Sequence, residues 1–458
     1  MRIGELGFWW HDIAGPPAPR PALQRPTQAD VAVAGAGFTG LWTAYYLKRA
    51  EPSLRVIVLE AEQAGFGASG RNGGWLSGFF SGPARSYEHG REPDAYATLQ
   101  RAMFDTVEEV AGVLARHGID AELVKSGVLS VARDRAQLAR LREHISAARA
   151  TGIAEQDLRE LGSEELAGRI SVAGALGASF SPHAARVHPA KLLVGLASAA
   201  EELGVEIYER TPVLAIEPGE ARTPQGAVTA RWVVRATEGY TASLRGQRRA
   251  LVPMNSSMIV TEPLPDQLWG QIGWKGQELV GDNAHVYAYL QRTADGRIAI
   301  GGRGVPYRYG SRTDGRGDTA ASTVQSLRAQ LAAMFPPAAR VRIDHAWSGV
   351  LGVPRDWCVS VAADRARGLA RAGGYVGEGV AASNLGARIL CEEILDRASE
   401  LRSLAWVGRS PRRWEPEPLR WSEIQAVYWL YRRADAAERR SGRPSRLGAL
   451  VDSLSGRE

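Results

Sequence analysis

The residue pattern best suited to chemistry is a turn with the spacing G-x-G-x-x-G, which joins a short apolar run to a helical pattern. The turn consists of Gly35, Ala36, Gly37, Phe38, Thr39 and Gly40. In such a turn the first glycine permits a tight bend, the second lets the backbone approach a pyrophosphate, and the third lets helix and strand pack closely. The helix N-terminus adds N–H donors and a positive dipole. The spacing therefore predicts a site for the pyrophosphate of a dinucleotide.

An acidic residue follows this turn at the expected distance. Glu60 ends a second apolar run, 20 residues after Gly40. A carboxylate in this place accepts hydrogen bonds from the hydroxyls of a ribose and disfavours a 2′-phosphate. We therefore expect Glu60 to hold the ribose of the dinucleotide.

The elements that position these residues form one βαβ unit. The apolar runs Asp30–Ala34 and Val56–Leu59 are typical of parallel strands that are buried on both faces. Phe38–Ala50 between them has helical periodicity and ends before Pro52. The crossover between the strands should be right-handed.

A second glycine-rich stretch, residues 61–78, begins directly after Glu60. Its glycines are too dense for a helix, so the sequence predicts a loop of exposed backbone N–H groups. Part of this loop, residues 67–74 (GASGRNGG), resembles the second fingerprint of the D-amino-acid-oxidase-like flavoprotein superfamily, in its gamma-glutamylputrescine-oxidase-like branch. Further segments are similar to that family across roughly residues 28–435: residues 186–193, 211–213, 233–240 and 373–380.

The resemblance implies a noncovalent FAD cofactor. Cys358 lies later in the chain than the position at which related sarcosine oxidases tether their flavin. Cys391 lies in the final helix of the segments that resemble the family. The residues expected to contact FAD are Gly35, Ala36, Gly37, Phe38, Thr39, Gly40, Glu60, Ala61, Gly67, Ser69, Arg71, Asn72, Gly73, Gly74, Val213, Ala236, Thr237, Gly374, Gly377, Glu378, Gly379 and Val380.

The resemblance also implies a reaction: oxidation of a primary or secondary amine, of amino-acid or polyamine type, by hydride transfer to flavin N5, giving an imine. O₂ is the expected electron acceptor. However, the strand 296–302 lacks the lysine that activates oxygen in sarcosine oxidases, and Lys275 is the only substitute nearby. A flavin monooxygenase, a dehydrogenase with another acceptor, and a flavin-bound scaffold without turnover therefore stay open as alternatives.

Substrate-facing candidates come from positions next to the flavin motifs. They are Trp75, Arg71, Tyr289, Arg303 and Trp347. Trp75 would form a wall beside the ring, Tyr289 and Trp347 would join an aromatic cage that attracts a cation, and the arginines would bind a carboxylate or the charge of the reduced flavin. This chemistry needs no metal, and we expect His183 and His188 to cap or line a loop.

These motifs predict an α/β fold with mixed α+β character: a Rossmann-like FAD-binding domain and a substrate domain built on a mainly antiparallel sheet. The predicted FAD-binding segments are 28–93, 175–250 and 341–400, and the predicted substrate segments are 94–174 and 251–340. A helical tail, 401–458, should pack on the body through an aromatic helix face that begins at Trp421. A membrane-surface or partner-binding role for that helix is the alternative.

Composition limits the remaining possibilities. Two cysteines in 458 residues cannot build a disulfide framework, so a reducing, cytoplasmic location is expected. The net charge of +6 is the excess of 56 basic residues, 52 scattered arginines and four lysines, over 50 acidic residues, and we expect no nucleic-acid partner. No apolar stretch reaches the length of a spanning helix. The expected partner is a small amine, and the sequence leaves the oligomeric state open.

Overall fold

A computed structural model describes residues 1–4, 6–313 and 315–455 of the chain. The strands are β1 (Arg2–Ile3), β2 (Thr27–Ala34), β3 (Val56–Leu59), β4 (Trp75–Ser77), β5 (Val128–Ala132), β6 (Arg159–Gly162), β7 (Gly177–Ser181), β8 (Ala184–Arg186), β9 (Glu206–Tyr208), β10 (Ala215–Glu217), β11 (Glu220–Thr223), β12 (Gly226–Arg235), β13 (Val252–Thr261), β14 (Leu279–Asp282), β15 (Ala288–Arg292), β16 (Ile298–Gly302), β17 (Ile343–Val353), β18 (Ser360–Asp364) and β19 (Leu369–Gly373). The α-helices are α1 (Phe8–Asp12), α2 (Phe38–Ala50), α3 (Ala84–Glu88), α4 (Ala95–Arg116), α5 (Arg135–Ala150), α6 (Ser163–Arg169), α7 (Pro189–Glu202), α8 (Asp266–Ile272), α9 (Ala321–Met334), α10 (Gly379–Leu395), α11 (Leu419–Ser441) and α12 (Arg446–Ser455).

The first sheet has a parallel centre in the order β19-β12-β2-β3-β9. The predicted βαβ unit is confirmed, with β2 starting three residues earlier, at Thr27, than expected. β2 from Val31 onward and all of β3 are buried, because helices α2, α7 and α10 cover one face of these strands and residues around Leu23 and β11 cover the other. At its margins β11 and β18 pair antiparallel with β12 and β19. The carboxyl ends of the parallel strands carry the glycine turn and Glu60.

The second sheet runs in the order β1-β17-β13-β16-β15-β14-β5-β7-β6. Its neighbours are antiparallel except for the β1/β17 and β14/β5 pairs. This mainly antiparallel sheet beside a Rossmann-like sheet confirms the predicted fold class.

Two strands lie in a different sheet from the one that the predicted domain segments imply. β7 falls within 175–250 but pairs with β5 and β6, and β17 falls within 341–400 but pairs with β13. Both are therefore strands of the antiparallel sheet, and the sequence could not show this because their partners are distant in the chain. As a revised proposal, the boundaries move to the ends of β7 and β17.

The C-terminal tail packs its long helix α11 against the body through Ile424, Tyr428 and Tyr431, all buried. Trp421, expected on the same face, is instead 38% exposed. The last three residues of the predicted tail, 456–458, lie outside the described residues. Among the helices of the described chain, none is both long and apolar enough to cross a membrane.

Candidate active site

The glycine turn after β2 is a place of very close backbone contact. Gly35 has a φ of +105°, and a Cβ there would lie 2.6 Å from the carbonyl oxygen of Ala236. A Cβ on Gly40 would lie 1.9 Å from the carbonyl oxygen of Gly35. Only glycine fits either position, so the turn holds β2, α2 and the end of β12 together with its backbone close to whatever it binds.

Glu60 stands beside this turn, as the spacing predicts. Its Oε2 accepts a hydrogen bond from the Ala36 N–H at 2.8 Å, and its Oε1 accepts one from the Glu62 N–H at 3.1 Å. Burial raises the pKa of the Glu60 carboxyl to about 7. Val213 lies in the segment beyond Thr211, whose N–H donates to the Glu60 carbonyl at 2.7 Å. The exposed Ala61 follows Glu60 directly, so the candidates for the adenosine end of the cofactor are close together.

The loop 67–74 is fixed by four successive carbonyl oxygens, each bound by a different part of the chain. The Arg71 carbonyl accepts from the Trp347 indole N–H at 2.9 Å and the Asn72 carbonyl from the Trp9 indole N–H at 2.7 Å. The Gly73 carbonyl accepts from the Gln291 side-chain amide at 2.6 Å, and the Gly74 carbonyl from a backbone N–H at 2.9 Å. Because these carbonyls already accept hydrogen bonds from the protein, the backbone N–H groups of the loop are the ones available to a ligand. Those of Asn72 and Gly73 meet no acceptor among the described residues.

The loop is also joined to the glycine turn. The Ser69 hydroxyl oxygen accepts from the Phe38 N–H at 2.9 Å. A Cβ on Gly37 would lie 2.8 Å from the same oxygen. The Asn72 side chain closes the loop on itself by donating to the Ser69 carbonyl and accepting from the Gly74 N–H. Both predicted fingerprints therefore form one surface of backbone donors.

The turn that leads from β19 into α10 is braced by a residue that the sequence did not single out as a site residue. Glu238 accepts hydrogen bonds from the N–H groups of Gly374 and Tyr375, at 3.0 and 3.1 Å. Burial raises the pKa of its carboxyl to about 7. Its place directly after Ala236 and Thr237, in a segment expected at the pyrophosphate, was the available signal. Glu238 thereby fixes the turn that carries Gly374, Gly377 and Gly379.

Two helix N-termini face this region without a side-chain cap. Gly37 is the N-cap of α2 and Glu378 is the N-cap of α10, and neither side chain caps its helix. The Thr39 hydroxyl of α2 lies 3.1 Å from the Tyr375 hydroxyl of the turn before α10. Helix N-termini attract anions, so this arrangement suits the pyrophosphate and the electron-rich edge of a flavin. With the glycine backbone and the free loop N–H groups, the residues fit FAD.

An open cleft of about 730 Å³ lies between the loop, the α10 turn and the antiparallel sheet. Its lining consists of Ala68, Arg71, Asn72, Gly73, Trp75, Ser256, Tyr287, Tyr289, Gly302, Arg303, Gly349, Leu351, Gly377, Glu378 and Val380. The sequence predicted many of these residues but missed Ser256, Gly302, Gly349 and Leu351, because no motif marks single positions on antiparallel strands.

Tyr289 is held firmly in the cleft wall. Its hydroxyl lies 2.9 Å from the Ser256 hydroxyl, and its ring meets Trp75 edge to face at 6.0 Å. A Cβ on Gly301 would lie 2.2 Å from the Tyr289 ring, and one on Gly73 would lie 2.7 Å from it. Burial raises the pKa of Tyr289 to about 12, so this side chain is a neutral hydrogen-bonding wall at ordinary pH. Two glycines make the room for it.

Arg303 and Glu378 bring charge into the cleft. The Arg303 Nη2 donates to the Val376 carbonyl at 3.2 Å. Its Nη1 is buried and has no hydrogen-bond partner among the described residues. Burial raises the pKa of Glu378 to about 7, against the opposing effects of Ser77 and Arg303. The cleft therefore offers one unsatisfied cationic donor and one carboxyl that titrates near neutral pH.

Two of the predicted substrate-facing residues, Trp347 and Arg71, lie in surroundings that differ from those expected. Trp347 is fully buried behind the loop, beside Phe8 and Trp9, and does not line the cleft. The expectation that Trp347 contacts the substrate is therefore wrong, because its indole is bound to the loop and packed in the core. The Arg71 guanidinium donates to the carbonyls of Gly315 and Ser348, which favours joining the loop to the antiparallel sheet over binding a substrate.

The histidines have structural partners. The predicted capping role of His188 is confirmed, since its ring accepts from the Lys191 N–H at the start of α7. His285, Asp435 and Glu438 lie close enough to suggest a metal site. However, Glu438 binds the Arg140 guanidinium at 2.8 Å, and the Asp435 oxygens accept from backbone N–H groups. A bound arginine supplies the positive charge there, so this cluster serves to attach α11 to the body.

Comparison with known proteins gives concordant matches. The family model described as "FAD dependent oxidoreductase" matches residues 30–393. A probable oxidoreductase OrdL of Rhizobium meliloti is 31% identical over 412 residues, covering 86% of this chain and 90% of that protein. The gamma-glutamylputrescine oxidoreductase of Escherichia coli is 30% identical over 402 residues, with the same coverage. The crystal structure of glycine oxidase from Geobacillus kaustophilus superimposes with a TM-score of 0.69 at 20% identity, covering 84% of this chain and all of that one.

The packing of Tyr289 leads to a prediction about Gly301. We expect Gly301→Ala to push the Tyr289 ring into the cleft and to lower kcat/KM by about a hundredfold, since displacements near 1 Å have effects of that size. The bound cofactor should be retained, as Gly301 lies away from the loop carbonyls. Steady-state kinetics and the cofactor content of the purified variant measure both.

Gly281→Ala is the matched control, because a Cβ there would meet its nearest neighbours at an ordinary 3.5 Å. It should behave as the unaltered protein does. A Gly301→Ala variant with unchanged kcat/KM would show that the position of Tyr289 is unimportant for turnover.

Proposed function

The chain belongs to the FAD-dependent oxidoreductase family, and from this premise we propose that it oxidises an amine that also carries a carboxylate. The observation that carries the proposal is the cleft where Arg303, with its unpartnered Nη1, and Glu378 share a lining with Tyr289 and Trp75. The relatives named for gamma-glutamylputrescine and for glycine support an amine of this type.

FAD, when bound, accepts the hydride that leaves the carbon next to the substrate nitrogen. The protein must then hold that carbon in place, keep water away from the reacting atoms and leave the nitrogen uncharged. The rigid loop 67–74 and the walls formed by Trp75 and Tyr289 supply the positioning. The catalytic contributions of these residues are therefore mainly geometric.

Arg303 is proposed to bind the carboxylate. A guanidinium with a free N–H forms charge-assisted hydrogen bonds with a carboxylate, and these are stronger than bonds between neutral groups. The Val376 carbonyl fixes the other side of the guanidinium, so little side-chain freedom is lost when the substrate binds. The rest of the substrate would lie along the tyrosine side of the cleft.

Glu378 is proposed to take the proton from the substrate ammonium. An ammonium has no lone pair to assist the departure of a hydride, so the amine must be neutral before it reacts. A general base works best when its pKa lies near the operating pH, and burial raises the pKa of Glu378 to about 7. Its place at the N-terminus of α10 holds the carboxyl at the cleft.

The electrons have two candidate acceptors. O₂ is the first candidate, and a different acceptor is the second. The second candidate is favoured by the cleft lining, in which Arg303 and Arg71 but no lysine occur. Lys275 follows α8, is exposed and does not belong to the cleft lining, so it does not replace the lysine that the strand 296–302 lacks.

The proposal predicts that an amine with a carboxylate bleaches the visible absorbance of the bound flavin in the absence of oxygen. A suitable panel contains gamma-glutamylputrescine, glycine, sarcosine, longer amino acids and putrescine as the amine without a carboxylate. Readmitting air then distinguishes the acceptors, since an oxidase regains its colour rapidly. A flavin that dithionite bleaches but no amine does would contradict amine oxidation.

Arg303→Gln serves as the specificity variant in this titration. Losing the charge-assisted bond, worth about 1.5–3 kcal/mol, should raise the half-saturating concentration of a carboxylate-bearing amine roughly tenfold or more. An amine without a carboxylate should be little affected. Equal effects on both kinds of amine would argue against carboxylate binding by Arg303.

The pH dependence of the reaction tests Glu378. Because its pKa is raised to about 7, the carboxylate form increases as the pH rises through neutrality, and kcat/KM should rise with it. Glu378→Gln never ionises, so it should have lower activity and lose that ascending limb while FAD stays bound. The same ascending limb in the variant and the unaltered enzyme would assign the proton transfer to another group.

A further inference from the structure

One side of helix α11 faces away from the protein and is both aromatic and basic. Trp421 and Trp429 are 38% and 54% exposed. Four exposed arginines share that side of the helix: Arg432, Arg433, Arg439 and Arg440. With 3.6 residues per turn, these positions fall within about a third of the helix circumference, next to the arc that carries the buried Ile424, Tyr428 and Tyr431. We call these six residues the α11 face.

Neighbouring side chains extend the α11 face into a wider patch. The ring of Tyr309 lies 6.3 Å from that of Trp421, and Leu419 at the start of the helix is 62% exposed. Arg432 donates to the Gly304 carbonyl at 2.9 Å, next to the exposed Val305. Large apolar side chains are thus grouped here rather than scattered, and grouped exposure of this kind marks an interaction site.

The charges on α11 are separated by side. Glu423 is half-buried and pairs with Arg355 at 2.8 Å. Asp435 and Glu438 are buried against the residues that attach the helix to the body. Every acidic residue of α11 is thereby turned away from the α11 face, which is left with four positive charges. We therefore expect this surface to bind a negatively charged partner.

The combination of residues favours a lipid surface over other anionic partners. A second copy of the chain, paired symmetrically through this face, would place arginine against arginine. Nucleic acid would use the arginines but gains little from exposed leucine and valine. A bilayer interface accommodates both residue types, since tryptophan rings are enriched at the level of the lipid headgroups and arginines are attracted to anionic lipids. We infer that the α11 face docks on a bilayer rich in anionic lipids.

Docking would bring the substrate cleft close to that surface. The loop that follows β16 begins with Arg303, and α11 holds it at three points. Gln425 donates to the Tyr307 carbonyl at 3.1 Å, the Tyr307 hydroxyl donates to Glu417 just before α11, and Arg432 binds Gly304. The inference itself does not depend on the proposed amine oxidation, because it uses only the outer side of the helix.

Sedimentation with lipid vesicles tests the inference on the FAD-loaded full chain. Vesicles of phosphatidylglycerol and phosphatidylcholine should bind the protein, and vesicles of phosphatidylcholine alone should not. Arg433→Gln/Arg439→Gln/Arg440→Gln should weaken binding roughly a hundredfold, given the usual contribution of each arginine at an anionic membrane. Trp421→Ser/Trp429→Ser should also weaken it, since the bilayer would receive these rings.

The matched control is Arg101→Gln/Arg328→Gln/Arg340→Gln, which removes the same charge from exposed arginines outside the α11 face and should bind as the unaltered protein does. Flavin absorbance and thermal unfolding confirm that each variant is folded. Equal loss in the control would reduce the effect to net charge and overturn the inference. So would binding to heparin, a soluble polyanion, without binding to the anionic vesicles.

Discussion

The structure depends most on the anchoring of one short loop. Between Arg71 and Gly74, four successive carbonyl oxygens are bound by Trp347, Trp9, Gln291 and a backbone N–H. These donors come from β17, α1, β15 and the segment after β8, so the loop, which follows β3 of the first sheet, is joined to the antiparallel sheet and to the N-terminal helix. Because its carbonyls face the protein, its N–H groups remain for the cofactor. The same loop forms one wall of the substrate cleft.

Three partly buried carboxyl groups give the site its electrostatic character. Glu60 beside the glycine turn, Glu238 under the α10 turn and Glu378 in the cleft all have a pKa raised to about 7 by burial. Two of them accept backbone N–H groups and so fix turns, whereas Glu378 lines open space. Burying a carboxyl group costs free energy unless it is hydrogen-bonded. Each of these three carboxyls lies where a ligand or a cofactor-binding turn needs a negative charge.

Local patterns explain what the sequence could predict. Glycine spacing marks the turn after β2 and the place of Glu60 20 residues later, and the family resemblance marks the 67–74 loop and the α10 turn, each within one short stretch of sequence. Glu238 braces a turn 136 positions away, and Trp347 and Gln291 reach the loop from distant strands. Such pairings follow from how the sheets assemble. For the same reason β7 and β17 could not be assigned to their sheet from the sequence. Trp347 was expected to contact the substrate, whereas its indole is bound to the loop.

The affinity for FAD of a Gln291→Leu variant tests the role of the anchored loop most directly. The change keeps the side chain's bulk but leaves the Gly73 carbonyl without its donor, a loss of about 1–3 kcal/mol. Gln100→Leu is the matched control, since Gln100 is also buried and donates to a glycine carbonyl, that of Gly78, outside the loop. The account predicts that Gln291→Leu weakens FAD binding roughly tenfold or more and that Gln100→Leu leaves it unchanged. Equal FAD affinity in both variants would contradict it.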